Sequence, residues 1–212
     1  MKEFLRESFT PSAHREVPSS GSIFSLPMLS QLGIMLPRYL LLEGVSVDWT
    51  AKIDQLDLGK MKEHINQTPP MVLLVSGSSQ DQRVIFGLFY PKGYVDPEEK
   101  PCIFQLEPVH RAFWTPFLTE SVSIQVDLDG NKNSLLAASI TWKRKPYGES
   151  PVSDDRFAIE HDTMSIVASE EGFGRFTVQR ENHPKTDESF RVDAIELLKC
   201  DHQRVLVEDF DY

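Results

Sequence analysis

The chain contains little cysteine. Its 212 residues include only Cys102 and Cys200, which are too few and too far apart for a disulfide framework and form no Cys-x-x-Cys pair. A disulfide-stapled secreted domain and a cysteine-based zinc site are therefore not expected. Reduced thiols in the cytoplasm fit this cysteine usage best.

A long apolar run is also missing. The longest apolar stretch, residues 23–42, is interrupted by prolines, a glutamine, a glycine and an arginine, whereas a membrane-spanning helix needs about 20 consecutive apolar residues. Residues 1–30 contain no apolar core of a secretory signal. We expect a cytoplasmic protein that meets a membrane only through a protein partner.

Positive charge is scarce as well. Lysine and arginine number 22 against 32 aspartates and glutamates, which gives a formal net charge of −10. Nucleic acids and anionic lipids are held through Lys and Arg, so neither is an expected partner. The one compact basic run, Lys143-Arg144-Lys145, is interpreted as the solvated end of a strand.

Familiar catalytic and cofactor motifs are absent from the sequence. It has no Gly-x-Ser-x-Gly elbow, no phosphate loop ending in Lys-Ser or Lys-Thr, and no His-Glu-x-x-His helix. Only His161-Asp162 places a histidine beside a carboxylate, and neighbouring strand residues face opposite sides. Residues 127–131, Asp-Leu-Asp-Gly-Asn, predict a hairpin turn, because an EF-hand needs a later glycine and a glutamate at position twelve. We predict no catalytic residue, no cofactor and no metal ligand.

Apolar periodicity predicts a chain rich in β-strands. The predicted strands are residues 71–75, 83–90, 102–106, 122–126, 134–142, 156–160, 164–168, 173–179 and 190–198. Polar turns are expected at residues 76–81 and, around two glycines, at 172–174. Many strands with few helices indicate an antiparallel α+β domain.

Two short helices accompany these strands. Residues 26–36 carry apolar residues at helical spacing, and Asp57 can cap a second helix that ends at Thr68-Pro69-Pro70. We expect a flexible N-terminal tail at 1–22, a single domain at 23–207 and an acidic C-terminal tail at 208–212.

Several segments, taken in order, resemble the TLDc domain family. Residues 69–75 followed by 84–89 are similar to the family's apolar strand, polar turn and Phe-Gly-x-Phe strand. Residues 102–108 resemble its Phe-x-Phe-x-Leu-x-Pro strand, and residues 190–197 resemble its closing Phe-x-Val-x-x-Ile-Glu-Val strand. Leu36-Pro37-Arg38 and Asp48-Trp49 are similar to its early Leu-Pro-Arg and tryptophan elements.

The resemblance implies a sandwich of two antiparallel β-sheets with a few short flanking helices. It also implies resistance to oxidative stress and binding to the vacuolar-type proton ATPase, where some family members promote separation of the peripheral and membrane sectors. On this basis we expect a non-catalytic interaction domain, placed at the vacuole or endolysosomal surface by its partner. The family's closing Trp-Gly is replaced by Leu198-Lys199.

Other functions stay open at this point. An adaptor or scaffold with an unrelated partner predicts an exposed apolar patch. A hydrolase assembled across the fold predicts a pocket that holds titratable groups with shifted pKa values. Oxidant scavenging by Cys102 or Cys200 would need an exposed thiol of low pKa, but both lie in or at the end of predicted strands.

Overall fold

The described part of the chain is mostly antiparallel β-sheet. The computed structural model describes residues 23–35, 45–67, 70–91, 101–114, 121–129, 134–143, 161–179 and 185–200. The helices are α1 (Leu26–Met35), a short 3-10 helix (Ile53–Gln55) and α2 (Leu58–Gln67). The strands are β1 (Val45–Lys52), β2 (Met71–Ser79), β3 (Gln82–Tyr90), β4 (Cys102–Glu107), β5 (Arg111–Trp114), β6 (Ser121–Asp127), β7 (Leu135–Lys143), β8 (His161–Ser169), β9 (Phe173–Gln179) and β10 (Thr186–Cys200).

These ten strands belong to one hydrogen-bonded sheet. Its order is β5-β4-β3-β2-β10-β9-β8-β7-β6, and β1 pairs with β10 in addition. The long strand β10 connects the two halves, because its residues 186–191 pair with β9 and its residues 191–199 pair with β2. The sheet-rich architecture with few helices is confirmed, and the division into the two sheets of a sandwich stays a prediction.

Two apolar cores lie on opposite faces of β2 and β3. Leu73 and Phe86 belong to the main core, which also receives buried residues from β6 to β9. Their neighbours Val72 and Ile85 belong to a second core, which α1 covers with Met28 and Leu32. Because successive strand residues alternate between faces, burial on both faces explains the continuous apolar runs in these strands.

Both predicted helices are present. Asp57 caps α2 as expected, since its Oδ1 accepts a hydrogen bond from the Lys60 backbone N–H at 3.0 Å. The buried face of α2 consists of Leu58, Met61 and Ile65, which belong to the main core. The cap and this buried face hold α2 in a fixed position against the main core.

The predicted turn at residues 76–81 is too long. Residues 76–79 continue β2, and only Gln80 and Asp81 form the turn, with φ values of 49° and 64°. Gly77 instead allows β2 and β10 to approach each other closely, because an added Cβ would lie 2.0 Å from the Arg191 carbonyl oxygen. The glycine that indicated a turn thus lies inside a strand.

Other predictions differ from the structure or lie outside its described residues. β1 and β5 were not predicted, and β10 starts four residues before the predicted strand at 190–198. The predicted strand at 156–160 and the predicted tails at 1–22 and 208–212 lie outside the described residues. The turn before β9 lies at residues 170–172, with Gly172 at a φ of 86°, and residues 173 and 174 of the predicted turn belong to the strand instead.

Candidate interaction site

The family-like strand patterns are neighbours in the sheet. They form β4, β3, β2 and β10, which lie in this order. Gly87 of the Phe-Gly-x-Phe pattern lies directly against Phe104 of β4, whose ring would be 2.3 Å from an added Cβ. Glycine at this position permits close packing of β3 on β4. Residues 36–38 and 69 lie outside the described residues.

Glu196, the carboxylate of the closing pattern, anchors the segment before α1. Its side chain is fully buried, and its Oε2 accepts a hydrogen bond from the Phe24 backbone N–H at 2.7 Å. Ala194 and Leu198 on either side of it belong to the apolar core under α1. Since a buried carboxylate is costly without hydrogen-bond donors, Glu196 fixes where this segment meets the sheet.

A polar cluster connects β5 with β10. Arg111 Nη2 lies 2.6 Å from Glu188 Oε1, and Arg111 Nε donates to Gln105 Oε1 at 2.7 Å. Gln105 is buried, and its Nε2 donates to the Glu107 backbone carbonyl at 3.0 Å. The cluster satisfies a buried amide and ties one edge strand to the centre of the sheet.

A second ion pair lies on the surface of β9 and β10. Arg175 donates to both carboxylate oxygens of Asp187, with Nε–Oδ1 at 2.7 Å and Nη2–Oδ2 at 2.5 Å. The hydrogen bond from Arg175 holds the pKa of Asp187 well below its ordinary value, and Asp187 raises the pKa of Arg175. Paired charges of this kind orient neighbouring strands and are poorly suited to proton transfer.

The structure also brings together a histidine and an aspartate that sequence reasoning missed. His64 Nδ1 of α2 lies 3.0 Å from Asp48 Oδ2 of β1. Asp48 is the extra residue of a β-bulge, because β10 pairs with Val47 and then directly with Trp49. No Ser, Thr or Cys side chain bonds to His64 within the described residues, so the pair does not extend to a side-chain nucleophile there. The pair links α2 to β1.

Cys102 has the environment of a structural thiol. Its side chain is fully buried in the core under α1. Burial raises the pKa of the Cys102 thiol far above its ordinary value. Because the thiolate is the reactive form, this thiol is poorly placed to meet an oxidant. The side chain of Cys200 lies outside the described part of the structure.

A groove of about 440 Å³ separates α2 from β6. The helix side consists of Lys62, Ile65 and Asn66, and the strand side consists of Ile124, Gln125, Val126 and Asp127. Sequence reasoning missed this groove, since its two walls are about 60 residues apart in the chain. No group of three or more His, Cys, Asp or Glu side chains suited to a metal ion occurs in the described ranges.

The motifs weighed in the sequence do not converge on one site. Asp127 ends β6, and Leu128 and Asp129 follow it as exposed residues, while 130 and 131 lie outside the described residues. His161 begins β8 beside the buried Asp162. Lys143 ends β7, as expected for a strand end.

None of the helices in the described ranges is long and apolar enough to cross a membrane.

Comparison with known proteins gives no family assignment. No protein-family model matches the chain, and the search of curated proteins finds no similar sequence.

Proposed function

We propose that the chain is a TLDc-like interaction domain without a catalytic site, which binds the vacuolar-type proton ATPase. The observation that carries the proposal is the adjacency of β4, β3, β2 and β10, the strands with the family-like patterns. Segments up to about 120 residues apart in sequence thus lie side by side in one sheet. The glycine of the Phe-Gly-x-Phe pattern has a structural role, because only a residue without a side chain leaves room for the Phe104 ring.

In this proposal the two halves of the sheet are the two layers of a β-sandwich. Support comes from the main core, where buried residues of β2 and β3 meet buried residues of β6 to β9. The helix α1 covers the outer face of one layer. The Phe24 backbone N–H, just before α1, donates a hydrogen bond to Glu196 and so holds the helix on this face. The partner would place the domain at the vacuole or endolysosomal surface, where the family's role in oxidative-stress resistance would follow from pump regulation.

Binding rather than turnover is favoured by the chemistry of the described side chains. The thiol of Cys102 is buried, and the described hydrogen bonds of His64 give it no nucleophile. An adaptor with an unrelated partner is the second candidate. It is favoured by exposed apolar side chains, among them Phe173, which is 52% exposed.

The proposal is tested on vesicles that carry the assembled pump. Purified protein is added, and ATP-driven acidification is followed together with the peripheral sector released into the supernatant. A dose-dependent fall in acidification with release of the sector is expected. Unchanged pumping and no bound protein, with an established pump-binding protein active in the same vesicles, would overturn the proposal and favour the adaptor. Heat-denatured protein serves as the negative control.

A further inference from the structure

The groove beside α2 follows the backbone edge of β6. Ile124, Gln125, Val126 and Asp127 border it one after another. Successive side chains of a strand point to opposite faces of the sheet. Four consecutive residues can therefore border one groove only where it runs along the edge of the strand.

This edge of β6 carries no partner strand among the described residues. β6 ends the order of the sheet, and β7 occupies its other edge. In an antiparallel pair, every second residue directs both its N–H and its C=O away from the partner. None of the four groove residues of β6 makes a hydrogen bond beyond those of the β6–β7 ladder in the described structure. The edge thus offers a row of donors and acceptors to a further strand.

The helix supplies the second wall and keeps the groove open. α2 is anchored by its buried face, and its N-terminal turn lies near the end of β6, with an added Cβ on Gly59 only 4.0 Å from Leu128 Cδ1. Ile65 of α2 and Ile124 of β6 provide apolar lining. An open strand edge beside a helix is an arrangement in which proteins bind extended peptides by strand addition.

Carboxylates collect at one end of the groove. Asp127 lines the end near the N-terminus of α2, where the exposed Asp57 precedes the first helical residue and the exposed Asp129 follows Asp127 by two residues. Lys62 is the helix residue of the groove that lies nearest to this end. A segment with a basic residue beside Asp127 and an apolar residue over Ile65 and Ile124 complements both features.

We propose that an extended segment of a partner protein, apolar in its middle and basic at one end, adds to β6 as a new edge strand. The proposal rests on the proposed function in that it treats the chain as a protein-binding domain, but it does not require the pump as partner. A second copy of this chain is a poorer occupant, because two chains of net charge −10 repel each other.

Synthetic peptides provide the test. The probes are acetylated heptapeptide amides of alternating Thr and Val with Lys at the first or the last residue, and matched peptides with Glu at that residue. One Lys peptide is expected to bind about 3- to 10-fold more tightly than its Glu counterpart, as surface charge pairs allow. Alternate amides of β6 should become protected from hydrogen exchange when that peptide binds.

N-methylation tests the strand geometry itself. Two versions of the best peptide carry N-methyl groups at odd or at even residues. One version should lose binding by about 10-fold or more and the other should keep it, because only one set of N–H groups faces β6. Equal effects of the two versions would overturn strand addition.

Charge-reversal variants locate the site on the protein. Asp127→Lys should reverse the preference so that the Glu peptide binds better, whereas Glu63→Lys, an exposed α2 position outside the groove, should leave it unchanged. No binding of any peptide at millimolar concentration would contradict the proposal. The proposal would also be contradicted if the β6 amides that face away from β7 were already protected in the protein alone or in a dimer. These measurements omit the pump, so their failure is separate from a failure to bind it.

Discussion

Phe86 of β3 stacks on Phe176 of β9, with ring centroids 4.4 Å apart and an interplanar angle of 14°. Two strands, β2 and β10, separate β3 from β9 in the order of the sheet. The stacked rings therefore bring the half of the sheet that contains β3 into direct contact with the half that contains β9. Phe190 of β10 completes the group, with its ring 4.9 Å from that of Phe86 and in contact with Gly174.

The residues of this aromatic contact should contribute strongly to the stability of the fold. Phe86→Ala and Phe176→Ala are each expected to lower the free energy of unfolding by about 3–5 kcal/mol, because each leaves a cavity in the core. A double-mutant cycle in urea should give a coupling of about 0.5–1.5 kcal/mol. Phe173→Ala, at an exposed position, is the control and should cost about 0.5 kcal/mol or less. Strictly additive effects would contradict direct stacking.

The approach of β2 to β10 at Gly77 gives a second prediction. Gly77→Ala should lower the free energy of unfolding by about 1–3 kcal/mol, since the new methyl group would collide with the Arg191 carbonyl oxygen. Gly59→Ala is the matched control, because its methyl group would meet only side-chain atoms of Asp57 and Leu128. It should change the free energy of unfolding by less than about 1 kcal/mol, because the helix propensity gained by alanine is offset by a 3.2 Å approach of its Cβ to the capping oxygen Asp57 Oδ1. Thermal or urea unfolding of the two variants compares them, and equal effects would count against the close approach.

The ion pair between Arg175 and Asp187 predicts a pH dependence of stability. The pKa of Asp187 is lower in the folded chain than its ordinary value of 3.8. Its contribution is therefore present above that value and is lost as the pH falls below it. Asp187→Asn should reduce the urea midpoint at pH 7, and the difference from wild type should vanish at low pH. Asp193→Asn, an exposed carboxylate on the same strand, should show no such change.

Burial of Cys102 predicts a thiol that does not react in the folded protein. In a Cys200→Ser variant, Cys102 is the only cysteine left. This variant should not react with a thiol reagent at pH 8 until it is unfolded, because the thiol is inaccessible and its pKa is raised. Labelling of the folded variant at the rate of a free thiol would contradict this prediction and would support direct oxidant scavenging by Cys102.

Local apolar patterns predicted those strands and helices that have one or both faces completely buried. β9 was predicted with its observed bounds, and Asp57 was identified as the cap of α2. β1 was missed because it is half exposed and its apolar alternation is broken by a bulge at Asp48. The first residues of β10 were missed because they are polar, and their pairing with β9 makes them a strand.

Long-range relationships were beyond a single sequence. The role of Gly77 depends on the backbone of β10, and the contact between His64 and Asp48 depends on how α2 meets β1. The groove requires α2 to lie beside the edge of β6 that pairs with no other strand among the described residues. No local pattern encodes such distances, so the absence of catalytic motifs could be read from the sequence while the candidate binding groove could not.

Binding to the pump is tested most directly with membranes that carry the assembled vacuolar-type ATPase. Increasing amounts of the purified chain are sedimented with these membranes and with membranes from cells that lack the pump. If the chain binds the pump, its sedimentation should saturate only with membranes that contain the pump, and the peripheral sector should appear in the supernatant. Equal, unsaturable sedimentation with both membranes, or none, would contradict the proposed function.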